Sequence, residues 1–128
     1  GKERGAHTGG VTGAVGITGE ALAGSVAVSF SEECIKALVS NLLGEEVKEL
    51  GPELLDAVGE LTNMVSGAAR AELSASGIEL EAGIPAVICG HSHVIQHATD
   101  APVTVIPFST EHGTFSVEAC FENSGARE

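Results

Sequence analysis

The chain has 128 residues, enough for one domain with a core of its own, and 43% of them are apolar, which is a globular and not a disordered composition. A formal net charge of −12 argues against nucleic acid and anionic membrane surfaces as partners, and no apolar run is long enough to span a bilayer. Cys34, Cys89 and Cys120 lie in apolar stretches without C-x-x-C spacing and read as buried, reduced thiols of a cytoplasmic protein.

Residues 1–10 are rich in glycine and charge and read as a loose lead-in, and the start at Gly1 instead of Met is what a truncated or partly ordered form of a longer chain would show. From Val11 a period of two sets in: Val11, Gly13, Val15 and Ile17 alternate with Thr12, Ala14, Gly16 and Thr18. After a turn at Gly19-Glu20, Leu22, Gly24, Val26, Val28 and Phe30 continue the alternation. This predicts a hairpin with one large apolar face and one face of small and hydroxyl residues. Ser31 is placed to cap a helix, with Glu32 and Glu33 at its positive end, Ile35, Leu38, Val39 and Leu42 on its buried side and Gly44 at its stop. Residues 45–51 form an acidic, solvated connector.

Gly51-Pro52 opens a second, longer helix that runs to about Ser76, where Gly77 stops it. Strand-like runs follow at Ile84–Cys89, Val103–Phe108 and Thr114–Phe121, the last two joined through Ser109–Gly113 as a second hairpin. Gly90–Pro102 reads as a loop or weak strand holding His91, His93 and His97. With four Phe and neither Trp nor Tyr, the core must be built from Val, Ile, Leu and Ala. The fold class is therefore α+β: an antiparallel sheet built from hairpins with helices packed on it, as one domain over residues 1–128.

On the long helix, Leu54, Val58, Leu61, Val65 and Ala68 fall within about 40° of one line at about 100° per residue, and that line is expected to face the core. Asn63 then points outward, and Glu60 lies about 60° from it at i, i+3 spacing, so the two are neighbours on one face. Gly59, Ser66 and Gly67 flank Asn63 on this outward side as candidate partner-binding positions. A glycine inside a helix costs roughly 1 kcal/mol relative to Ala. Two of them beside a carboxylate and an amide fit close approach by a partner surface, or packing of another helix. Glu60 and Asn63 taken alone also fit ordinary solvated side chains.

The run Asp56-Ala57-Val58-Gly59-Glu60-Leu61-Thr62-Asn63-Met64-Val65-Ser66-Gly67-Ala68-Ala69-Arg70 resembles the signature helix of the CheC/CheX/FliY family of chemotaxis phosphatases. The family's Glu-x-x-Asn motif is matched by Glu60 and Asn63, with Val11–Phe30, Ser31–Gly44 and Val103–Phe121 resembling its first hairpin, following helix and closing strands. Glu32 and Glu33 are followed three residues later by Ile35 and Lys36, so the other helix carries no second motif and the pattern is similar to CheX. The resemblance implies a homodimer paired through its sheets, and a helix before the first strand that residues 1–10 do not supply. It also implies an enzyme that hydrolyses the aspartyl phosphate of a CheY-like response-regulator receiver domain. In that reaction Asn63 would position the attacking water, Glu60 would pair with a receiver lysine, and Mg²⁺ would be held by the receiver.

The main alternative is a non-catalytic signalling module that docks on a receiver, or dimerises, through the same helix face; only turnover requires the Asn63 amide. His91, His93 and His97 have no carboxylate or thiol at convincing spacing, so no metal site is assigned. Cys34 sits in the first turn of its helix but has no histidine near it in sequence, so burial is preferred to nucleophilic chemistry. Arg70 and Glu72 read as ordinary surface charges.

Overall fold

In the computed structural model, which describes residues 10–49, 51–90 and 102–123, the period-two segments become paired strands. β1 (Gly10–Gly19) and β2 (Leu22–Phe30) form the first hairpin, and α1 (Glu32–Leu43) follows it. Then come α2 (Pro52–Ala75), the short strands β3 (Leu80–Ala82) and β4 (Ala86–Gly90), and a second hairpin of β5 (Val103–Thr110) and β6 (Gly113–Asn123). All six strands belong to one antiparallel sheet of order β3-β1-β2-β6-β5, and β4 also pairs with β1. The α+β class and the antiparallel pairing agree with the sequence reading.

The register explains the core. Val11 lies opposite Phe30, Gly13 opposite Val28 and Val15 opposite Val26, so the large apolar residues of both strands share one face. The helices cover that face. Cys34, Ile35 and Val39 of α1 and Leu54 and Val58 of α2 close over Val11, Val28 and Phe30. A second cluster joins Val15, Ile17, Val26 and Leu80. Phe30, Phe115 and Phe108 run across three strands in register, with ring centroids 5.3 and 4.8 Å apart. On the opposite face, the small and hydroxyl residues are less open than their polarity suggests. Thr12 and Ser29 are buried partners whose hydroxyls lie 2.9 Å apart, and Ala27 is buried beside them.

Helix ends follow their caps. The Ser31 hydroxyl accepts from the Cys34 N–H at 3.1 Å, and Gly44 terminates α1 in the left-handed region at φ 73°. At the end of α2 the Ile78 N–H reaches the Leu73 carbonyl and the Gly77 N–H the Ser74 carbonyl, both at 2.9 Å, which is a Schellman closure.

Several expectations are corrected. Leu42 is 70% exposed, because α1 ends before the covering elements reach its last turn. Cys89 is exposed on β4 at the sheet edge, whereas Cys34 and Cys120 are buried. Gly10 already belongs to β1, and the rest of the lead-in lies outside the described residues. β3 adds a strand that the sequence reading lacked, and β4 starts at Ala86 instead of Ile84, which is itself fully solvated. Among the described residues, no helix is long and apolar enough to cross a membrane.

Candidate functional site

Pro52 starts α2 with its ring at a position that needs no N–H donor, and Leu54 and Val58 bury the first two turns. The next two inward positions are hydroxyls. Thr62 and Ser66 are fully buried. Each is satisfied within its own helix: Thr62 Oγ1 donates to the Val58 carbonyl at 2.7 Å and Ser66 Oγ to the Asn63 carbonyl at 3.3 Å. Internal bonding of this kind lets a hydroxyl enter a core without a stranded donor.

The inward stripe is therefore Leu54, Val58, Thr62 and Ser66, with Leu61 and Val65 half-buried beside it and Ala68 exposed. This corrects the apolar line through Leu61, Val65 and Ala68. The correction also changes the outward direction. Residues four apart drift by about 40° per step, so the buried stripe winds around the helix and Glu60 becomes the most outward residue, with Asn63 about 60° away.

Both sequence-predicted motif residues, Glu60 and Asn63, are exposed neighbours on this face. Gly59 and Gly67 are half-buried. A Cβ at Gly59 would meet Val87 Cγ2 at 3.8 Å, so part of that glycine's surroundings is β4. Ser66 is not on the outward face and offers no surface to a partner. Sequence reasoning missed Met64, which is 65% exposed and four residues from Glu60, an apolar group beside the charged one. An exposed methionine next to a motif residue was the available signal.

The height of this helix above the sheet is set at Gly13. A Cβ there would overlap the Thr62 hydroxyl and come within 3.2 Å of Val58 Cγ1, so only glycine lets α2 lie this close. Glu60 and Asn63 are thus carried on the exposed side of a helix whose other side is locked to β1.

Among the described residues, no group of three or more His, Cys, Asp or Glu side chains converges as a cation site. His91, His93 and His97 lie outside the described residues. A depression beside α1, lined by Glu32, Lys36, Ser40 and Val47 among others, contains no motif residue.

The family described as chemotaxis phosphatase CheX matches residues 11–109. The crystal structure of CheX from Vibrio vulnificus is 36% identical, with a TM-score of 0.84 over 90% of this chain and 77% of that one. A CheX from Desulfovibrio desulfuricans is 46% identical, with a TM-score of 0.80 over 88% of this chain and 74% of its own. A chain from the CheX–CheY–BeF3–Mg²⁺ complex of Borrelia burgdorferi shares the fold at 22% identity, with a TM-score of 0.76 over 87% of this chain and 75% of that chain. No curated protein sequence gives a match.

Proposed function

This chain belongs to the chemotaxis phosphatase CheX family, and from that premise we propose that it hydrolyses the aspartyl phosphate of a CheY-like response-regulator receiver domain. The observation that carries the reading is the exposed Glu60/Asn63 pair on a helix whose opposite side is locked against the sheet. That the Borrelia burgdorferi relative was solved bound to CheY, beryllofluoride and Mg²⁺ supports the choice of partner.

In this mechanism the receiver docks on the outward face of α2. Asn63 enters the phosphorylated site and holds a water in line with phosphorus; its amide both donates and accepts, which suits positioning but not proton abstraction. Glu60 pairs with a receiver lysine in a charge-assisted contact. The receiver brings its own Mg²⁺, which neutralises phosphoryl charge. Met64 adds apolar contact beside Glu60. We further propose a homodimer formed through β5, whose Val103, Val105, Ile106 and Phe108 are 43–53% exposed on the outer strand.

Receiver domains phosphorylated with a small-molecule phosphodonor test the activity. Faster loss of phosphate with the wild-type chain, abolished by Asn63→Ala with an unchanged circular dichroism spectrum, is the expected result. Equal acceleration by Asn63→Ala would overturn the catalytic role and leave α2 as a docking face.

A further inference from the structure

Arg70 lies two helical turns beyond Asn63 on the same side of α2, about 10 Å further along the axis. Its Nε is buried without a hydrogen-bond partner. The two described lysines are paired, Lys36 with Glu32 at 2.6 Å and Lys48 with Glu46 at 3.9 Å. Among the described residues, Arg70 is the one Lys or Arg side chain without an ion pair, in a chain of net charge −12.

Its surroundings leave the terminal nitrogens of the guanidinium available. Arg70 lines a cavity of about 240 Å³ with Gly67, Ser74, Glu79 and Leu80. Glu79, the one acid in that wall, accepts from the Ser74 hydroxyl at 2.9 Å and forms no ion pair with Arg70. A Cβ at Gly67 would lie 3.8 Å from an Arg70 terminal nitrogen, so the side chain leans back over the glycine, toward Asn63. A bare glycine there keeps the flank of the guanidinium open. The buried Nε is out of an incoming group's reach, but the side chain as a whole is only half-buried, so its terminal nitrogens are the planar donors that a carboxylate would meet.

We propose that Arg70 is a second docking contact, which takes a surface carboxylate of the receiver and fixes the receiver's orientation along α2. The inference rests on the reading of this face as the receiver-docking surface. Glu60 and Arg70 then place a negative and a positive group on either side of Asn63, about 15 Å apart along the axis and about 80° apart around it. A receiver presenting a lysine to Glu60 and a carboxylate to Arg70 fits one way round; the reverse orientation sets like charges against each other. The phosphoryl group sits at Asn63, so Arg70 reads a different group and bears on recognition, not on the chemical step.

The test measures binding to a beryllofluoride-loaded receiver and turnover of the phosphorylated receiver, for wild type and for Arg70→Lys, Arg70→Met and Arg70→Glu, with thermal unfolding of each chain. Arg70→Glu is expected to weaken binding and raise KM by about tenfold or more, with a much smaller change in kcat. Arg70→Met keeps the stem and should show an intermediate loss without a lower unfolding midpoint, and Arg70→Lys should recover part of it. One Asp→Lys or Glu→Lys substitution on the receiver should restore binding to Arg70→Glu. Equal affinity for wild type and Arg70→Glu, or loss of affinity only in step with loss of fold, overturns the contact, as does a chain that binds no receiver. A wild type that binds with Arg70 dependence but shows no Asn63-dependent turnover overturns the phosphatase reading and leaves the contact standing.

Discussion

Glu60 and Asn63 are both solvated polar residues, and what separates the roles proposed for them is chemistry rather than location. An amide can align a water; a carboxylate at the most outward point of the helix is suited to meet a cation. Truncation should divide them accordingly. Glu60→Ala is expected to raise the KM for a phosphorylated receiver by about tenfold, the scale of a lost charge-assisted contact, while kcat changes less than in Asn63→Ala. Steady-state kinetics over a range of receiver concentrations checks this, and an unchanged KM would argue against an anchoring role. Stability should be nearly unaffected, since an exposed side chain without a buried partner contributes little to the fold.

At the scale of elements, the contact that matters is between α2 and β1. Gly13→Ala would drive a methyl group into the Thr62 hydroxyl and against Val58, forcing the helix outward. The expected cost is about 1–3 kcal/mol, typical of an overpacked core. Thr62→Ala alone loses a buried group and should also destabilise. Combined, the two changes exchange one volume for another, so the double variant should be more stable than additivity predicts, read by urea unfolding of all four chains. Turnover should fall with Gly13→Ala and return with the double variant if helix height governs the site. This contact also marks how far the sequence could be read. Both hairpins, both helices and the outward placement of Glu60 and Asn63 were legible, because period two, period 3.6 and the caps at Ser31, Gly44 and Pro52 are local signals. The inward side of α2 was misread, because a wheel drawn from apolar residues cannot foresee Thr62 and Ser66 satisfying their hydroxyls on their own helix. β3 was missed because its three residues are too few to show a period. The unpaired state of Arg70 depends on residues brought near by the fold, Glu79 above all, and no spacing rule encodes it.

For the whole molecule, the sheet has two unlike margins. On one side β3 and β4 share β1; on the other β5 presents Val103, Val105, Ile106 and Phe108 to solvent. If β5 forms the homodimer contact, Val105→Lys should shift the chain to monomer in sedimentation equilibrium while leaving the unfolding midpoint close to wild type. A persistent dimer would place the interface elsewhere. Both margins also carry a proline: Pro85 between β3 and β4, and Pro107 within β5. Each removes a backbone donor from its edge, so neither margin offers an uninterrupted ladder to an incoming strand. A second copy on β5 must then be held by the fit of its side chains. Open-ended cross-β stacking, to which an exposed apolar strand is otherwise prone, finds no continuous template here.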